Sequence, residues 1–468
     1  MSCRFLPKFG PSLHRVVLAA VATAAAATTI DAQSPTSPAG EDDDAFVAMD
    51  QVTVSAATRT EKLASALPVT TTVVNVEALD RQLAISTDLG SALAQAIPSY
   101  APSRQKLTSS GESFRGRDPL YLIDGIPQSN PLRAGQRESS VIDPFFLERI
   151  EVVHGSSAAQ GLGATGGIIN FVTRHAPETD GVTHRAEISG TSADGFEREG
   201  FGGKAAYLLA ARGGAVTAVT GVAVEHTPMQ YDAKGRPLGV DNVQGDTLDS
   251  ESANVFAKLG YDFSRRHSLE LMVSHFQLDQ NLRWVAVPGN RTTGLPTTSV
   301  RGTSRGEPAE NRVTAAALTF SDHDLWGGEL TLNVFRQDFT ATYGASDTAA
   351  TRNTFRVNGV PTLDQSQVEA EKYGLRSTWA GTLHALGGLG LVTGFDYLSD
   401  ETAQVLILTG RTWVPYTTYK GWSPYVQLEL PLGDVTLHGG VRAEFAELQV
   451  DDFTTIESAG STFVQGGN

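Results

Sequence analysis

The stretch Val255-Phe256-Ala257-Lys258-Leu259-Gly260-Tyr261-Asp262-Phe263 decides the fold of most of this 468-residue chain. Apolar side chains occupy its odd-numbered positions, and Lys258, Gly260 and Asp262 stand between them. Residues 435–445 repeat the alternation. A period of two sends successive side chains to opposite faces of a β-strand. One apolar face and one polar face suit an antiparallel membrane barrel with lipid outside and a polar interior.

Eleven segments beyond residue 180 alternate in this way, and most have the roughly 9–11 residues that a tilted strand needs to cross a bilayer. Short and long links alternate between them after a first outer loop near 194–200. Outer-membrane barrels have short periplasmic turns and long external loops, a parity that a soluble β-sandwich has no reason to follow. The predicted strands lie near 183–193, 201–212, 215–227, 252–263, 268–278, 312–321, 329–341, 366–380, 388–399, 422–431 and 434–446. The predicted long links are 228–251, 279–311, 342–365 and 400–421.

The N-terminus has the pattern of an export signal. Basic residues precede the apolar residues 16–27, and cleavage is predicted after Ala32, which makes 1–32 a signal peptide. Residues 33–49 combine Pro and Ser with four consecutive acids and are predicted to be a disordered acidic linker. The single cysteine, Cys3, lies inside the signal, so the exported protein would have no disulfide.

Composition excludes several classes of function. The net charge of -16 argues against nucleic acid as a partner. After the first 35 positions the chain has no uncharged apolar run of 18 residues, so transmembrane helices are not predicted. The ten histidines are scattered singly, without H-E-x-x-H or a comparable metal spacing. We therefore predict no catalytic residues, no metal site and no enzyme.

Residues 50–180 have the texture of a small α/β domain. Strands are predicted at 70–76, 120–123, 148–153 and 168–172, from their β-branched and apolar residues. A helix is predicted over 87–96, ending before Ile97-Pro98.

Four blocks of this region resemble the plug of TonB-dependent outer-membrane receptors, in the family's order and spacing. One departure is His154-Gly155-Ser156-Ser157, where the family usually has Arg-Gly-Pro. The resemblance implies an α+β plug domain over 57–180 followed by an antiparallel transmembrane β-barrel. The four blocks are Phe114-Arg115-Gly116-Arg117, Leu120-Tyr121-Leu122-Ile123-Asp124-Gly125-Ile126-Pro127, Ile142-Asp143-Pro144-Phe145-Phe146-Leu147-Glu148-Arg149-Ile150-Glu151-Val152 and Gly161-Leu162-Gly163-Ala164-Thr165-Gly166-Gly167-Ile168-Ile169-Asn170-Phe171-Val172-Thr173-Arg174.

Residues 50–56 look like the TonB box, a short β-prone segment after a linker, which could add as a strand to a partner's sheet. The alternative is that this segment is the first strand of the plug. The residues assigned to the box are Asp50, Gln51, Val52, Thr53 and Val54.

The run Gly161–Gly166 also fits the G-x-G-x-x-G pattern of dinucleotide-binding proteins. That function requires a strand before the glycines and a helix after them, whose N-terminus holds the pyrophosphate. Residues 168–173 instead predict a strand. We therefore do not predict nucleotide binding.

The strand number predicts a partial barrel. Eleven is odd, whereas bacterial single-chain barrels have even numbers of strands, and open edges are not tolerated in lipid. The last residues, 464–468, also lack a closing aromatic strand. The resemblance implies a barrel of about 22 strands, so we expect 181–468 to be the N-terminal half of a barrel in a truncated chain.

The resemblance also implies which residues bind the substrate. It assigns Tyr100 and Arg104 to the first apical loop of the plug, Arg117 to the second, and Arg133 and Arg137 to the third. Several Arg around one opening suit an anionic metal chelate. The alternative for Arg133 and Arg137 is that they only line the wet lumen.

A second group of plug charges is expected to be structural. By resemblance, Arg115, Glu148 and Arg149 pair with charges on the barrel wall, because buried charges need partners.

The residues 131–137 resemble those of receptors for ferric siderophores of the hydroxamate or citrate-hydroxamate type. The implied protein is a monomeric importer in the outer membrane, with its plug and N-terminus facing the periplasm and the TonB complex as its energy source. The implied cargo is an Fe(III)-siderophore, and no cofactor is expected. The alternatives are another cargo (haem, cobalamin, copper or an oligosaccharide) and a non-functional truncated receptor. A signalling receptor is disfavoured because 33–49 are too few residues to fold alone, and a passive pore because a plug is present.

Overall fold

The computed structural model describes residues 53–466 except 64–66, 68, 86–87, 104–106, 108–110, 129–131, 133–136, 138, 162, 197, 240–245, 345–354, 455 and 457–464. The predictions that fall outside the described residues are the signal peptide 1–32, the linker 33–49, the residues Asp50, Gln51 and Val52 of the TonB-box-like segment, and Arg104 and Arg133.

A five-stranded sheet forms the centre of the plug. Its neighbouring strands are antiparallel except β6 (Leu120–Ile123) and β9 (Ile168–Thr173), which are parallel. Both of these strands are buried along their whole length, as expected for apolar runs covered on both faces. The predicted plug strands are thereby confirmed. In spatial order the strands are β3 (Thr71–Asn75), β8 (Leu147–Val153), β9 (Ile168–Thr173), β6 (Leu120–Ile123) and β7 (Ile126–Pro127).

Two helices follow β3, and each has a side-chain N-cap. Helix α1 (Val76–Leu83) begins after Asn75, whose side chain accepts from the Ala78 N–H, and helix α2 (Leu89–Ala96) begins after Asp88. The predicted helix over 87–96 is confirmed by α2. Helix α1 was not predicted, because the β-branched run before it obscured the capping residue. Short pairs in this region are β1 (Thr53–Val54) with β2 (Lys62–Leu63) and β4 (Tyr100–Ala101) with β5 (Ser113–Phe114).

Among the described residues, twelve strands form one antiparallel sheet, which we call the wall. All eleven predicted strands are confirmed, and the eleventh is divided into two pieces that both pair with β23 (Arg411–Leu432). The order of neighbouring strands runs from β10 (Gly181–Ser192) to β24 (Val435–Arg442). The strands are β10 (Gly181–Ser192), β11 (Phe201–Gly213), β12 (Val216–Thr227), β13 (Ser250–Asp262), β14 (His267–Gln280), β17 (Glu310–Leu325), β18 (Gly328–Thr342), β21 (Ser366–Leu383), β22 (Leu389–Leu406), β23 (Arg411–Leu432), β24 (Val435–Arg442) and β25 (Phe445–Val450).

The link predicted at 400–421 is wrong as a loop. Strands β22 and β23 continue through it as one hairpin and turn only at 407–410. The β-branched residues of this stretch keep the strand hydrogen bonds after the apolar alternation has ended. Smaller pairs lie in the other links or follow the wall: β15 (Trp284–Val287) with β16 (Thr298–Arg301), β19 (Arg356–Val357) with β20 (Val360–Pro361), and β26 (Phe453–Thr454) with β27 (Gln465–Gly466).

The two faces of the wall differ as the alternation predicts. Val255 and Leu259 are 46% and 54% exposed, whereas Phe256 is fully buried. The ring of Phe256 stacks on Phe146 of the plug at 5.3 Å between centroids. The apolar face therefore points outward, and the plug packs on the inner face.

Aromatic side chains gather on the outer face. The ring centre of Tyr397 lies 6.3 Å from that of Tyr373 and 5.9 Å from that of Trp422. The three rings form a row across three neighbouring strands. Near the short turns, Tyr261 and Phe263 lie 4.9 Å apart. Such girdles border the apolar band of outer-membrane barrels. No described helix combines the length and apolar character needed to span a membrane.

Candidate functional site

The ends of the wall strands define two sides of the molecule. Turns such as 214–215 and 263–266 mark one end, which we call the short-turn end. The links 228–249, 281–309 and 343–365 mark the opposite end, the long-loop end. In outer-membrane barrels the short turns face the periplasm and the long loops face outward.

Arg137 lies at the long-loop end, and its side chain is fully buried. Its Nη1 donates to the carbonyl oxygens of Glu310 at 2.8 Å and Thr342 at 3.2 Å, where two wall strands end. The guanidinium also lies 4.7 Å from the centre of the Tyr343 ring. Arg137 thus ties the third apical loop to the wall. Its role as a ligand contact stays a prediction, which requires the side chain to leave these partners.

Tyr100 is also buried, with 6% of its surface exposed. Its hydroxyl lies 3.1 Å from that of Tyr121, which in turn donates to Glu112 at 2.8 Å. Burial and the neighbouring Tyr121 and Glu112 raise the pKa of Tyr100. Direct contact between Tyr100 and a ligand stays a prediction and would need an opening of the plug.

Arg117 lies in a different part of the plug from Arg137. It is exposed, and its Nη1 is 3.4 Å from the carbonyl oxygen of Thr165. Its neighbour Arg115 donates to the His154 carbonyl at 3.1 Å. Ser157, three residues after His154, accepts a hydrogen bond from the side-chain amide of Gln427. Gln427 lies five residues before the end of β23, near the short turn that follows that strand. The structure therefore does not bring Arg117 together with Arg137.

Glu148 and Arg149 pair inside the plug. Arg149 contacts Glu151 at 2.8 Å and Glu61 at 3.6 Å, and Glu148 contacts His175 at 2.9 Å. The hydrogen bond with His175 lowers the pKa of Glu148. These partners belong to the plug, whereas the sequence led us to expect partners on the wall.

Other charges make the contacts between plug and wall. These pairs escaped sequence reasoning because each joins residues that are far apart in the chain and carry no local signal. Lysines at inward positions of the alternating strands were the available hint. The pairs are Lys204 with Asp143 at 2.6 Å, Lys258 with Asp124 at 2.9 Å, Arg185 with Asp80 at 2.7 Å and Arg59 with Asp396 at 2.5 Å.

The segment that begins with Thr53 and Val54 is hydrogen-bonded to the plug through the Glu151 carboxylate, among other groups. Glu151, fully buried, accepts from the backbone N–H groups of Ser55 at 3.0 Å and Ala56 at 2.9 Å. Thr53 and Val54 pair with β2 rather than with the central sheet. The described part of the TonB-box-like segment, Thr53 to Ala56, is thus docked on the plug in this conformation.

The long-loop end carries an aromatic and cationic cluster that sequence reasoning did not single out. Trp284 is 3% exposed, and its indole N–H donates to Asp249 at 2.9 Å. Arg301 lies 4.2 Å from the centre of this ring, and Arg283 contacts Asp249 at 2.9 Å. The side chains of Arg283 and Arg301 are 53% and 42% exposed, so both are accessible from outside the wall.

A cavity of about 400 Å³ lies at the short-turn end, between the plug and strands β22, β23 and β24, and its plug lining includes Ala57, Lys62 and Val69. Its lining includes the side chains of Lys62, Glu429 and His438. Within the described residues, no group of three or more His, Cys, Asp or Glu side chains is arranged to hold a metal ion.

Comparison with known proteins identifies the class. Residues 64–168 match the family described as TonB-dependent Receptor Plug Domain, and residues 221–466 match TonB dependent receptor-like, beta-barrel. The chain therefore belongs to the TonB-dependent receptor family, which consists of receptors and not of enzymes.

Similar sequences include siderophore receptors. The chain is 26% identical over 441 residues to the rhizobactin receptor of Rhizobium meliloti (strain 1021), covering 88% of this chain and 57% of the relative. It is 26% identical over 439 residues to the ferric aerobactin receptor of Klebsiella pneumoniae, covering 86% and 57%. The chain thus spans little more than half the length of these curated relatives.

Solved structures share the fold. The copper transporter OprC superposes with a TM-score of 0.61 at 16% identity, covering 86% of this chain and 59% of that one. The ferric enterobactin receptor of Pseudomonas aeruginosa superposes with a TM-score of 0.61 at 15% identity, covering 82% and 58%. At these identities the likeness establishes the fold alone.

Proposed function

We propose that this chain is part of an outer-membrane receptor that imports a ferric siderophore of the hydroxamate or citrate-hydroxamate type. The observation that carries the proposal is a plug packed inside a wall whose outer face is apolar. Its sequence relatives include receptors for rhizobactin and ferric aerobactin. In this proposal the short-turn end and the N-terminus face the periplasm.

Binding takes place at the long-loop end. Arg104 and Arg133 supply cationic donors from the plug, and Arg283 and Arg301 supply them from the loops. Arginine presents several fixed donors to an anionic chelate, and clustered positive charge concentrates such ligands at the opening. The ferric ion arrives inside its chelate as cargo.

Transport needs a link between the two ends of the plug. The TonB complex grips residues 50–54 from the periplasm, and Glu151 and Asp396 hold the segment that follows them. A ligand can favour release of this segment only if it binds the released and docked states with different affinity. The buried side chains Arg137 and Tyr100 then act as connections between the apical loops, the wall and the plug core.

Uptake of radiolabelled ferric aerobactin by cells that express the full-length receptor tests this proposal. We expect saturable uptake that requires an intact TonB complex, with ferric enterobactin as a competitor of lower potency. Uptake of haem, cobalamin or copper without uptake of ferric aerobactin would keep the transport class and overturn the cargo. Uptake that persists without TonB would overturn the energy source.

A further inference from the structure

Glu112 lies inside the plug among hydroxyl groups. It is 7% exposed, and its Oε2 accepts from Tyr121 at 2.8 Å and from Ser139 at 2.6 Å. The Tyr121 hydroxyl lies 3.1 Å from that of Tyr100. We call Glu112, Tyr100, Tyr121 and Ser139 the Glu112 cluster. Its members come from four separate parts of the plug sequence.

The surroundings of Glu112 favour its neutral form. Among the residues that the structure describes, the charged side chain that acts on Glu112 is Asp88, the N-cap of α2, which has the same sign. Gly90 of α2 packs so closely that an added Cβ would lie 2.6 Å from the Glu112 Oε1. A buried carboxylate without a positive partner is costly, and it holds a proton more tightly than it does in water. Burial raises the pKa of Glu112 to about 7, although the three hydroxyl groups oppose this.

Ser139 connects the Glu112 cluster to the long-loop end. The next residue, Ser140, offers its carbonyl oxygen to the side-chain amide of Asn311 on the wall. Asp143 donates its backbone N–H to Asn254 of the wall at 2.8 Å. Arg137, two residues before Ser139, is bound to the wall as described above. Arg137 and residues 139–143, which we call the third apical segment, are therefore held by the wall on one side and by Glu112 on the other.

We propose that the Glu112 cluster is a proton-dependent tie between the plug core and the third apical segment, closed when Glu112 is protonated and weakened when Glu112 ionises. The proposal needs no ligand, so it stands apart from the choice of cargo.

Proton linkage gives the direction in which the strength of the tie changes with pH. The closed cluster binds the proton more tightly than an opened, hydrated Glu112, whose pKa would be about 4.3. The stability that the tie contributes is therefore fully present below about pH 4.3 and is lost as pH rises through about 7. Between these values the ratio of closed to open cluster falls by up to about ten-fold per pH unit.

Hydrogen exchange of the full chain in detergent micelles, from pH 5 to 8.5, tests the tie. Rates for peptides that cover 112–122 and 137–146 are divided by those of an unstructured peptide at each pH. In the unmodified chain we expect protection to fall by up to about ten-fold per pH unit and to level off above about pH 7. In Glu112→Gln, which keeps a neutral side chain of similar shape, protection stays constant. Asp118→Asn, at an exposed plug carboxylate, is the matched control and follows the unmodified chain.

Ser139→Ala gives a second, independent readout. Removing a hydroxyl that stabilises the carboxylate raises the midpoint of the pH dependence, which a packing role alone would not do. Protection that is independent of pH in the unmodified chain overturns the proposal. A Glu112→Gln chain that keeps the original pH dependence overturns it as well. If Glu112→Gln does not fold, an unchanged midpoint in Ser139→Ala has the same consequence.

Discussion

Arg59 donates two hydrogen bonds to Asp396, from Nη1 to Oδ1 at 2.6 Å and from Nη2 to Oδ2 at 2.5 Å. The side chains are only 7% and 10% exposed. The pair fastens the segment after Thr53 and Val54 to wall strand β22. Asp396 is shared, because Arg442 lies 2.8 Å and Arg376 3.8 Å from its carboxylate.

The sharing predicts unequal effects of removing the two partners. Asp396→Asn leaves three arginines without their common carboxylate, and we expect a loss of about 3–5 kcal/mol in the free energy of unfolding. Arg59→Ala costs less, since Arg442 still pairs with Asp396, but it frees the N-terminal segment. Denaturant unfolding in micelles measures the first effect, and the mobility of a spin label at position 61 measures the second.

Lys62→Ala is the control for this pair. Lys62 contacts Glu429 at 2.7 Å, but both side chains are about one-third exposed, so its loss costs about 0–1 kcal/mol. Equal destabilisation by Asp396→Asn and Lys62→Ala would contradict the account of Asp396 as a shared anchor.

The glycine at position 167 is required by close packing. Its φ is 139°, and an added Cβ would lie 2.5 Å from the Phe114 ring and 2.6 Å from the Val153 carbonyl oxygen. We expect Gly167→Ala to destabilise the plug by about 1–3 kcal/mol, measured as protease resistance and as denaturant unfolding. Gly155→Ala, where an added Cβ meets nothing within 4 Å, should change neither by more than about 0.5 kcal/mol.

We expect the stability contributed by Asp124 to depend on pH in the opposite direction from that contributed by Glu112. Burial opposes its ionisation, but Lys258 at 2.9 Å, His175 and the hydrogen bonds from Thr173 lower the pKa of Asp124. A lowered pKa contributes stability that is present above the unfolded value of about 3.9 and is lost as pH falls through the folded value. The free energy that the Asp124–Lys258 pair contributes to stability should therefore stay constant from pH 5 to 7 and fall in stronger acid.

Asp124→Asn tests this assignment. The substitution should remove the loss of stability in acid and lower the free energy of unfolding at neutral pH, because Lys258 loses the carboxylate at 2.9 Å and retains the more distant Glu270 at 3.9 Å. Glu178→Gln, at an exposed position, should leave the loss of stability at low pH unchanged. If Asp124→Asn lost stability at low pH as the unmodified chain does, another titratable group would be responsible for that loss.

The sequence predicted the wall well because each of its strands separates two different environments. Lipid on one face and the wet lumen on the other impose the alternation seen from Val255 to Phe263. The hairpin beyond residue 400 was missed because its two faces are no longer divided between lipid and lumen, so its sequence does not alternate. Helix α1 was missed because its capping residue, Asn75, also ends a strand.

The candidate site was harder to predict for a physical reason. A motif locates a loop, but it does not give the direction of a long side chain within the loop. Arg137 turns to the carbonyl oxygens of Glu310 and Thr342, which lie more than 170 residues away in the sequence. Shared contacts such as those of Asp396 have no local pattern either.

Arg104 and Arg133 test the proposed binding end. We expect Arg104→Ala or Arg133→Ala to weaken binding of ferric aerobactin about ten-fold in the full-length receptor, because each removes a charge-assisted hydrogen bond of about 1.5–3 kcal/mol. Membrane insertion should not change. Arg291→Ala, at an exposed hairpin position, is the control. Unchanged affinity in both variants would remove these residues from the site.

The orientation of the wall is the claim on which the other conclusions depend, and tryptophan quenching by brominated lipids measures it most directly. Chains with a single tryptophan at Trp422, on the outer aromatic row, or at Trp284, buried in a long loop, are reconstituted into bilayers of these lipids. The account predicts strong quenching at Trp422 and little at Trp284. No quenching at Trp422, or equal quenching at both positions, would contradict a wall whose apolar face meets lipid.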